Sequence, residues 1–260
     1  VPLIVAGKTV QFLIVVALLL SALVMIPRIR SGRHVPEIRR LPAMDAIDEA
    51  VGRATEMGKP IVYSPGTPER IDDAQTFASL GILSHVAKQA AKYDCDLIVT
   101  CNGAWLHPLL DEVVRQAYIS EGKQDSYRPD SVRFLAENLS AYASGVLGIL
   151  NREGAAVNMM IGAWWAQSLI LAEGGFHTGA IQIGATAHTH QIAFFVTACD
   201  YCLIGEEIYA AGAYIGREPV LVGTLLIQDY GKLVMAAVIL LGVILAAFDK
   251  QQALIDLIRK

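Results

Sequence analysis

Ala43 to Gly66 reads AMDAIDEAVGRATEMGKPIVYSPG, and two periodicities meet inside it. Up to Met57, the apolar residues Ile47, Ala50, Val51 and Ala54 recur at helical spacing with acids on the opposite face, and Gly58 supplies the residue on which such a helix ends. From Pro60 the pattern changes. Ile61 to Ser64 is a short, largely apolar run closed by Pro65-Gly66, as expected of a strand buried on both faces. A helix delivered straight into such a strand is the unit from which layered α/β domains are built.

The same alternation continues along the chain. A helix is expected from about Asp72 to Tyr93, then the strand LIVTC (97–101), a helix entered through Pro108, and an edge strand at SVRFLA. A helix near Ser140 to Asn151 precedes the strand AAVNMMIG (155–162), and a helix near Trp165 to Leu171 precedes the strand AIQIGA (180–185). IAFFVTA (192–198) reads as a further strand, followed by a helix near Glu206 to Ala213. Connections of this length favour parallel pairing through right-handed crossovers, so the expected fold is α/β: a doubly wound, mainly parallel, Rossmann-like sheet of about five or six strands. The run AIDEAVGRATEMGKPIVYSPG, Ala46 to Gly66, resembles a family of prokaryotic membrane-anchored proteins that carries only a domain-of-unknown-function label. The resemblance implies a membrane-tethered cytosolic domain and brings no catalytic residue with it.

Outside this middle the composition departs from that of a soluble protein. Of 260 residues 54% are hydrophobic and 18% charged, the mean hydropathy is +0.44, and the apolar excess collects at the two ends. Val10 to Ile26, VQFLIVVALLLSALVMI, is long enough with the residues before it to cross about 30 Å of hydrocarbon as a helix. The next residues hold Arg28, Arg30, Arg33, Arg39 and Arg40 against the single acid Glu37, which places them on the cytosolic side and the N-terminus outside. Leu233 to Phe248, LVMAAVILLGVILAAF, is short for a span, so a buried core helix is its alternative reading; apolar residues all round favour lipid. Small residues four apart, Ala17 with Ser21 and Gly242 with Ala246, are of the kind that lets helices approach closely. The organisation expected is a transmembrane helix at 1–27, a basic juxtamembrane linker at 28–42, a cytosolic α/β domain at 43–216, an approach segment and second transmembrane helix at 217–249, and an amphipathic segment at 250–260.

In an open parallel sheet, ligands bind beyond the carboxyl ends of the strands. The candidates there are Ser64, Gly66 and Thr67 after the first strand, with Thr100, Cys101, Asn102 and Gly103 after the second. Gly162 follows the third, Gly184, Thr186, His188 and His190 the fourth, and Thr197 and Asp200 the last. Of these, Ser64, Gly66, Thr67, Asn102, Gly103, Gly184, Thr186 and His188 form the candidate ligand site; the alternative is that small polar residues merely make turns and caps there. No GxGxxG and no GxxxxGK[ST] is present, and in GTPER (66–70) an Asp72 or Asp73 cap on the next helix accounts better for the spelling than a nucleotide loop does. His188, His190, Cys199 and Cys202 have the residue types of a tetrahedral zinc site, and the cysteine pair has the spacing of redox motifs. The intervening strand is expected to hold the histidines and cysteines roughly 20 Å apart, at about 3.3 Å per residue, so no metal is expected. Cys101 with His107, His177 or His188, oriented by Asp200, would be the nucleophilic arrangement; the sequence has no G-x-S-x-G elbow to support it. Trp164 and Trp165 are expected to pack a helix, one of them near a subunit contact, and Glu206 with Glu207 to cap one.

A net charge of -4 gives no basic footprint for nucleic acid, and no cofactor is expected. Two-ended anchoring, the lack of a standard catalytic motif and an abundance of Gly and Ala point to a membrane-anchored structural or assembly protein. It would associate with the lipid bilayer, with copies of itself and with a partner membrane complex. The alternative is a small-ligand module for a nucleotide or acyl group, or a hydrolase, using the crevice at the strand ends. Transport is the weakest reading, because two spans without an intramembrane ion pair supply no pathway.

Overall fold

The computed structural model describes residues 9–31, 41–70, 72–216 and 219–248. Arg33, Glu37, Arg39 and Arg40 of the basic run, and the amphipathic segment 250–260, lie outside the described residues. Two compact units are present: Arg39–Gly216 is one, and the N- and C-terminal helices belong to the other.

In the first unit α2 (Pro42–Met57) enters through a proline in its first turn and stops at Gly58, whose φ of 61° lets its N–H and that of Lys59 close on Thr55 O and Ala54 O. β1 (Ile61–Gly66) follows, then α3 (Ala74–Lys92), β2 (Leu97–Cys101), α4 (His107–Ser120), the short β3 (Val132–Phe134) and α5 (Leu139–Arg152). β4 (Val157–Ala163), α6 (Gln167–Thr178), β5 (Ile181–Thr186), α7 (Thr189–Ala198), β6 (Tyr201–Ile204) and α8 (Glu207–Gly216) complete it. The six strands pair in parallel in the order β3-β2-β1-β4-β5-β6, so strand order reverses between β1 and β4. β1, β2 and β4 are buried along their whole length, which explains their nearly unbroken apolar composition.

Each sheet face closes over its own core. On one, Tyr63, Val99, Met159 and Ile183 pack with Ile47 of α2, Leu83 of α3, Leu110 of α4 and Ile208 of α8. On the other, Val62, Ile98 and Met160 pack with Tyr142 and Val146 of α5, Leu171 of α6 and Phe195 of α7. Each fully buried side chain of this size stabilises the unit by about 1.5–3 kcal/mol, and the two layers hold a doubly wound Rossmann-like domain together.

One expected strand is absent. Residues 192–198 form most of α7, and the sixth strand is instead the four-residue β6. IAFFVTA is apolar all round. In α7 Gln191 and Phe195 are buried and Ala198 packs against the core, while Phe194 and Val196 stay exposed, so its outward apolar residues imitate a doubly buried strand. β6 escaped detection because it is short and half exposed.

The second unit contains α1 (Thr9–Arg30) and α9 (Pro219–Ala247), which run against each other. Both are long and apolar enough to cross a membrane, which points to membrane association. Their outward residues are apolar, among them Leu13, Leu19 and Leu23 on α1 and Leu233, Ile239 and Val243 on α9, so α9 is no buried core helix. At Gly223 the two helices are close, and a Cβ there would stand 3.1 Å from Ile26 Cγ1; of the small residues four apart, Ala17 and Ala246 are exposed while Ser21 and Gly242 are half-buried.

Candidate functional site

In a doubly wound sheet the chain leaves the two central strands toward opposite faces, and the gap between them is where ligands usually enter. Here that gap is bridged. β1 and β4 stay paired out to Gly66 and Ala163, across a register shift between Ser64 and Gly66, and Thr67 N–H donates to Ala163 O at 2.7 Å. Glycine is required on both sides: a Cβ on Gly66 (φ +92°) would overlap the Ala163 backbone, and one on Gly162 (φ +150°) would overlap the Pro65 carbonyl. Thr67 itself is buried, its hydroxyl accepting from Gln167 Nε2 at the start of α6.

Beside this bridge lies a cleft of about 310 Å³ lined by Glu69, Arg70, Asp72, Asp73, Ala74, Ala163, Trp165 and His188. Three of its four charged groups are engaged within the chain. Arg70 donates twice to Asp72, at 2.8 and 2.9 Å, and these hydrogen bonds hold the Asp72 carboxyl below the usual carboxylate range. Asp73 caps α3 by accepting from Thr76 N–H at 2.9 Å, so a carboxylate occupies the helix end where a phosphate would otherwise sit. The other wall is aromatic: Trp165 meets the His188 ring at 4.7 Å and the His190 ring at 5.5 Å, and the two imidazoles stack at 5.4 Å. His188 Nδ1 donates to Trp164 O at 2.7 Å, which leaves Nε2 as the nitrogen free to meet a ligand. Thr186 and the N–H of Ala187 both donate to Gln75 Oε1, at 3.2 and 2.7 Å, tying the β5 end to α3.

The sequence-derived candidates divide around this geometry. Gly66, Thr67, Thr186 and His188 do gather at the carboxyl ends of β1 and β5. Ser64 and Thr100 lie buried one layer below, in a hydroxyl chain with Tyr142 at 2.8 and 3.0 Å. Asn102 and Gly103 end β2, where Trp105 Nε1 stands 2.8 Å from the position of a Cβ on Gly103. Gly184 is not at a strand end: it sits within β5 under α7, where a Cβ would stand 2.9 Å from Cys199 Sγ and 3.0 Å from the Phe195 ring. Thr197 belongs to α7. Asp200 lies at the opposite edge of the sheet, accepting from Gln182 N–H at 2.8 Å where β5 begins, and therefore cannot orient a base near Cys101. His107 Nε2 is held by Val132 O at 3.1 Å, and burial pushes the Cys101 thiol up to about 12, so the cysteine nucleophile has neither activation nor access. His188 with His190 and Cys199 with Cys202 stand at opposite ends of α7. Among the described residues no three of His, Cys, Asp and Glu gather as metal ligands.

Sequence reasoning missed Gln75, Gln167 and the exposed outer side of the α6–α7 pair. The two amides carry no motif. The outer side did leave a signal: α5, α6 and α7 together hold only Arg152 and Glu173 as formally charged residues, whereas α2 alone carries Asp45, Asp48, Glu49, Arg53 and Glu56. Residues 3–257 match a domain of unknown function, DUF6754. No curated protein and no solved structure matches the chain.

Proposed function

The chain belongs to the DUF6754 family, a domain of unknown function, and from that premise we propose that it is a membrane-anchored assembly module whose α/β domain binds a second copy of itself through the outer face of α6 and α7. One observation carries this reading. Leu169 and Ile170 of α6 are exposed, as are Phe194 and Val196 of α7, the last at 55%, and the two helices together carry Glu173 as their one formal charge. Depletion of charge together with enrichment in aromatic and aliphatic residues distinguishes the centre of an interface from ordinary surface.

The two helices are braced as one platform. Ser168 Oγ donates to Gln191 Oε1 at 2.7 Å, and Trp164 meets Phe195 edge to face at 6.3 Å beneath them. A self-complementary apolar patch suits a two-fold contact, in which the same residues serve both partners. Anchoring by α1 and α9 favours it further, because copies held in one membrane with one orientation meet at high effective concentration. In this reading Arg28, Arg30 and the basic residues after them face the cytosol, the domain lies there too, and the N-terminus is outside.

The test is the mass of the full chain extracted in mild detergent, by light scattering corrected for bound detergent. Wild type is expected at a multiple of 28.0 kDa, with Ile170→Asp/Val196→Asp at the monomer mass and an unchanged melting temperature. A monomeric wild type, or a complex made only with a different membrane protein, overturns self-association.

A second reading rests on Asn102, whose buried Oδ1 has no hydrogen-bond partner among the described residues. Such an atom at a strand end is a place for a ligand donor. A thermal-shift screen of nucleotides and acyl compounds tests it, with Asn102→Ala as control; stabilisation lost in this variant supports a ligand site.

A further inference from the structure

We propose that Cys199 and Cys202 form a reversible dithiol–disulfide site that exchanges with small disulfides of the glutathione type. The placement begins with backbone. Cys199 caps the carboxyl end of α7, its N–H donating to Phe195 O at 2.8 Å, and Cys202 is the second residue of β6. In the parallel ladder Cys202 lies opposite Gly184 of β5, and residues opposite each other in a ladder point to the same face. That is the face covered by α7. Gly184 has no side chain, and Cys199 Sγ occupies the space, 2.9 Å from where a Cβ would stand. The missing methyl group therefore leaves room for both sulfurs on one side of the ladder, close enough for the two thiols to influence each other's ionisation. Both cysteines are half-buried, so a small disulfide has a path to them, whereas Cys95 and Cys101 are buried.

The roles follow from local charge. Cys199 sits where the unpaired carbonyls of α7 concentrate partial negative charge, which disfavours a thiolate there. The interaction with Cys202, with burial beside it, pushes the Cys199 thiol up, and the same interaction draws the Cys202 thiol down, so the thiolate is favoured on Cys202. Cys202 is the attacking sulfur. Its thiolate displaces one thiol from the small disulfide and forms a mixed disulfide; Cys199 then loses its proton, attacks Cys202 Sγ and displaces the second thiol. Two protein thiols are oxidised to one disulfide, and one small disulfide is reduced to two thiols.

The experiment equilibrates the full chain, in mild detergent, with glutathione disulfide at neutral pH, quenches with acid, and counts alkylatable thiols by mass spectrometry after unfolding. Wild type is expected to fall from four thiols to two, with the oxidised pair mapped to the peptide holding residues 199–202 and four thiols recovered after dithiothreitol. Cys199→Ser is expected to stop at a glutathione adduct on Cys202, because no second sulfur resolves it; Cys202→Ser is expected to form that adduct at least tenfold more slowly. Wild-type chain that keeps four thiols while its circular dichroism stays native overturns the proposal. So does oxidation that yields only cross-links between chains.

Discussion

The backbone N–H of Thr67 donates to the carbonyl of Ala163 at 2.7 Å, joining the ends of β1 and β4 across the point where the order of the sheet reverses. The fold offers a crevice there, and this chain bridges it. With Asp73 already capping α3, neither the central gap nor the first helix of the sheet is left open to a phosphate group. The absence of a glycine-rich phosphate loop and the bridged crevice are the same fact seen in sequence and in space.

The bridge depends on two glycines, and this gives a graded expectation. Gly66→Ala and Gly162→Ala each force a Cβ into the opposing backbone at a positive φ, and each is expected to destabilise the domain by about 3 kcal/mol or more. Gly58→Ala, also at positive φ but with open space around it, is expected to cost about 1 kcal/mol. Melting temperatures of the three variants in the same detergent check the order; equal shifts would contradict it.

The buried hydroxyl chain under the strand ends makes stability fall at alkaline pH. Burial pushes the Tyr142 phenol up to about 12, partly opposed by its hydrogen bonds with Ser64 and Thr100. A group raised in the folded state contributes full stability below its unfolded pKa and loses it as pH rises toward the folded value. Stability is therefore expected to decline between about pH 10 and 12, by on the order of 2–3 kcal/mol for this one phenol. Tyr63, fully buried and also raised, acts in the same direction. Denaturant midpoints measured from pH 8 upward should show a shallower decline for Tyr142→Phe than for wild type.

Membrane orientation is open to a direct check. An epitope tag ahead of α1 is expected to be reached by antibody on intact cells freed of their wall. A tag in the exposed turn at Gly122, after α4, is expected to be reached only after permeabilisation. Reversed accessibility would place the domain on the other side.

Much of this architecture is legible in the residues. The switch at Gly58 from helical to continuous apolar spacing locates α2 and β1, and the doubly buried strands announce themselves by composition. The error at residues 192–198 has one cause: apolar residues facing outward on α7 look the same as apolar residues buried in a sheet, because periodicity reports the environment of a side chain and not what supplies it. The candidate site was half legible for a similar reason. Gly66, Thr67, Thr186 and His188 follow from strand ends, whereas Gln75 and Gln167 are recognisable only once α3 and α6 are seen against β5 and β1. Asp200 is misplaced in the sequence reading because the sixth strand begins after residue 200 and not before it, and Gly184 because β5 runs on to Thr186.

A benzophenone amino acid placed at position 194 probes self-association through the outer face of α6 and α7. The ring extends a phenylalanine already exposed on α7, and irradiation of intact membranes captures whatever covers that face. A light-dependent adduct at twice the mass of the chain is expected from position 194, and none from Met57, which is exposed at the end of α2. No chain-dimer adduct from position 194, or equal yields from the two positions, would contradict it.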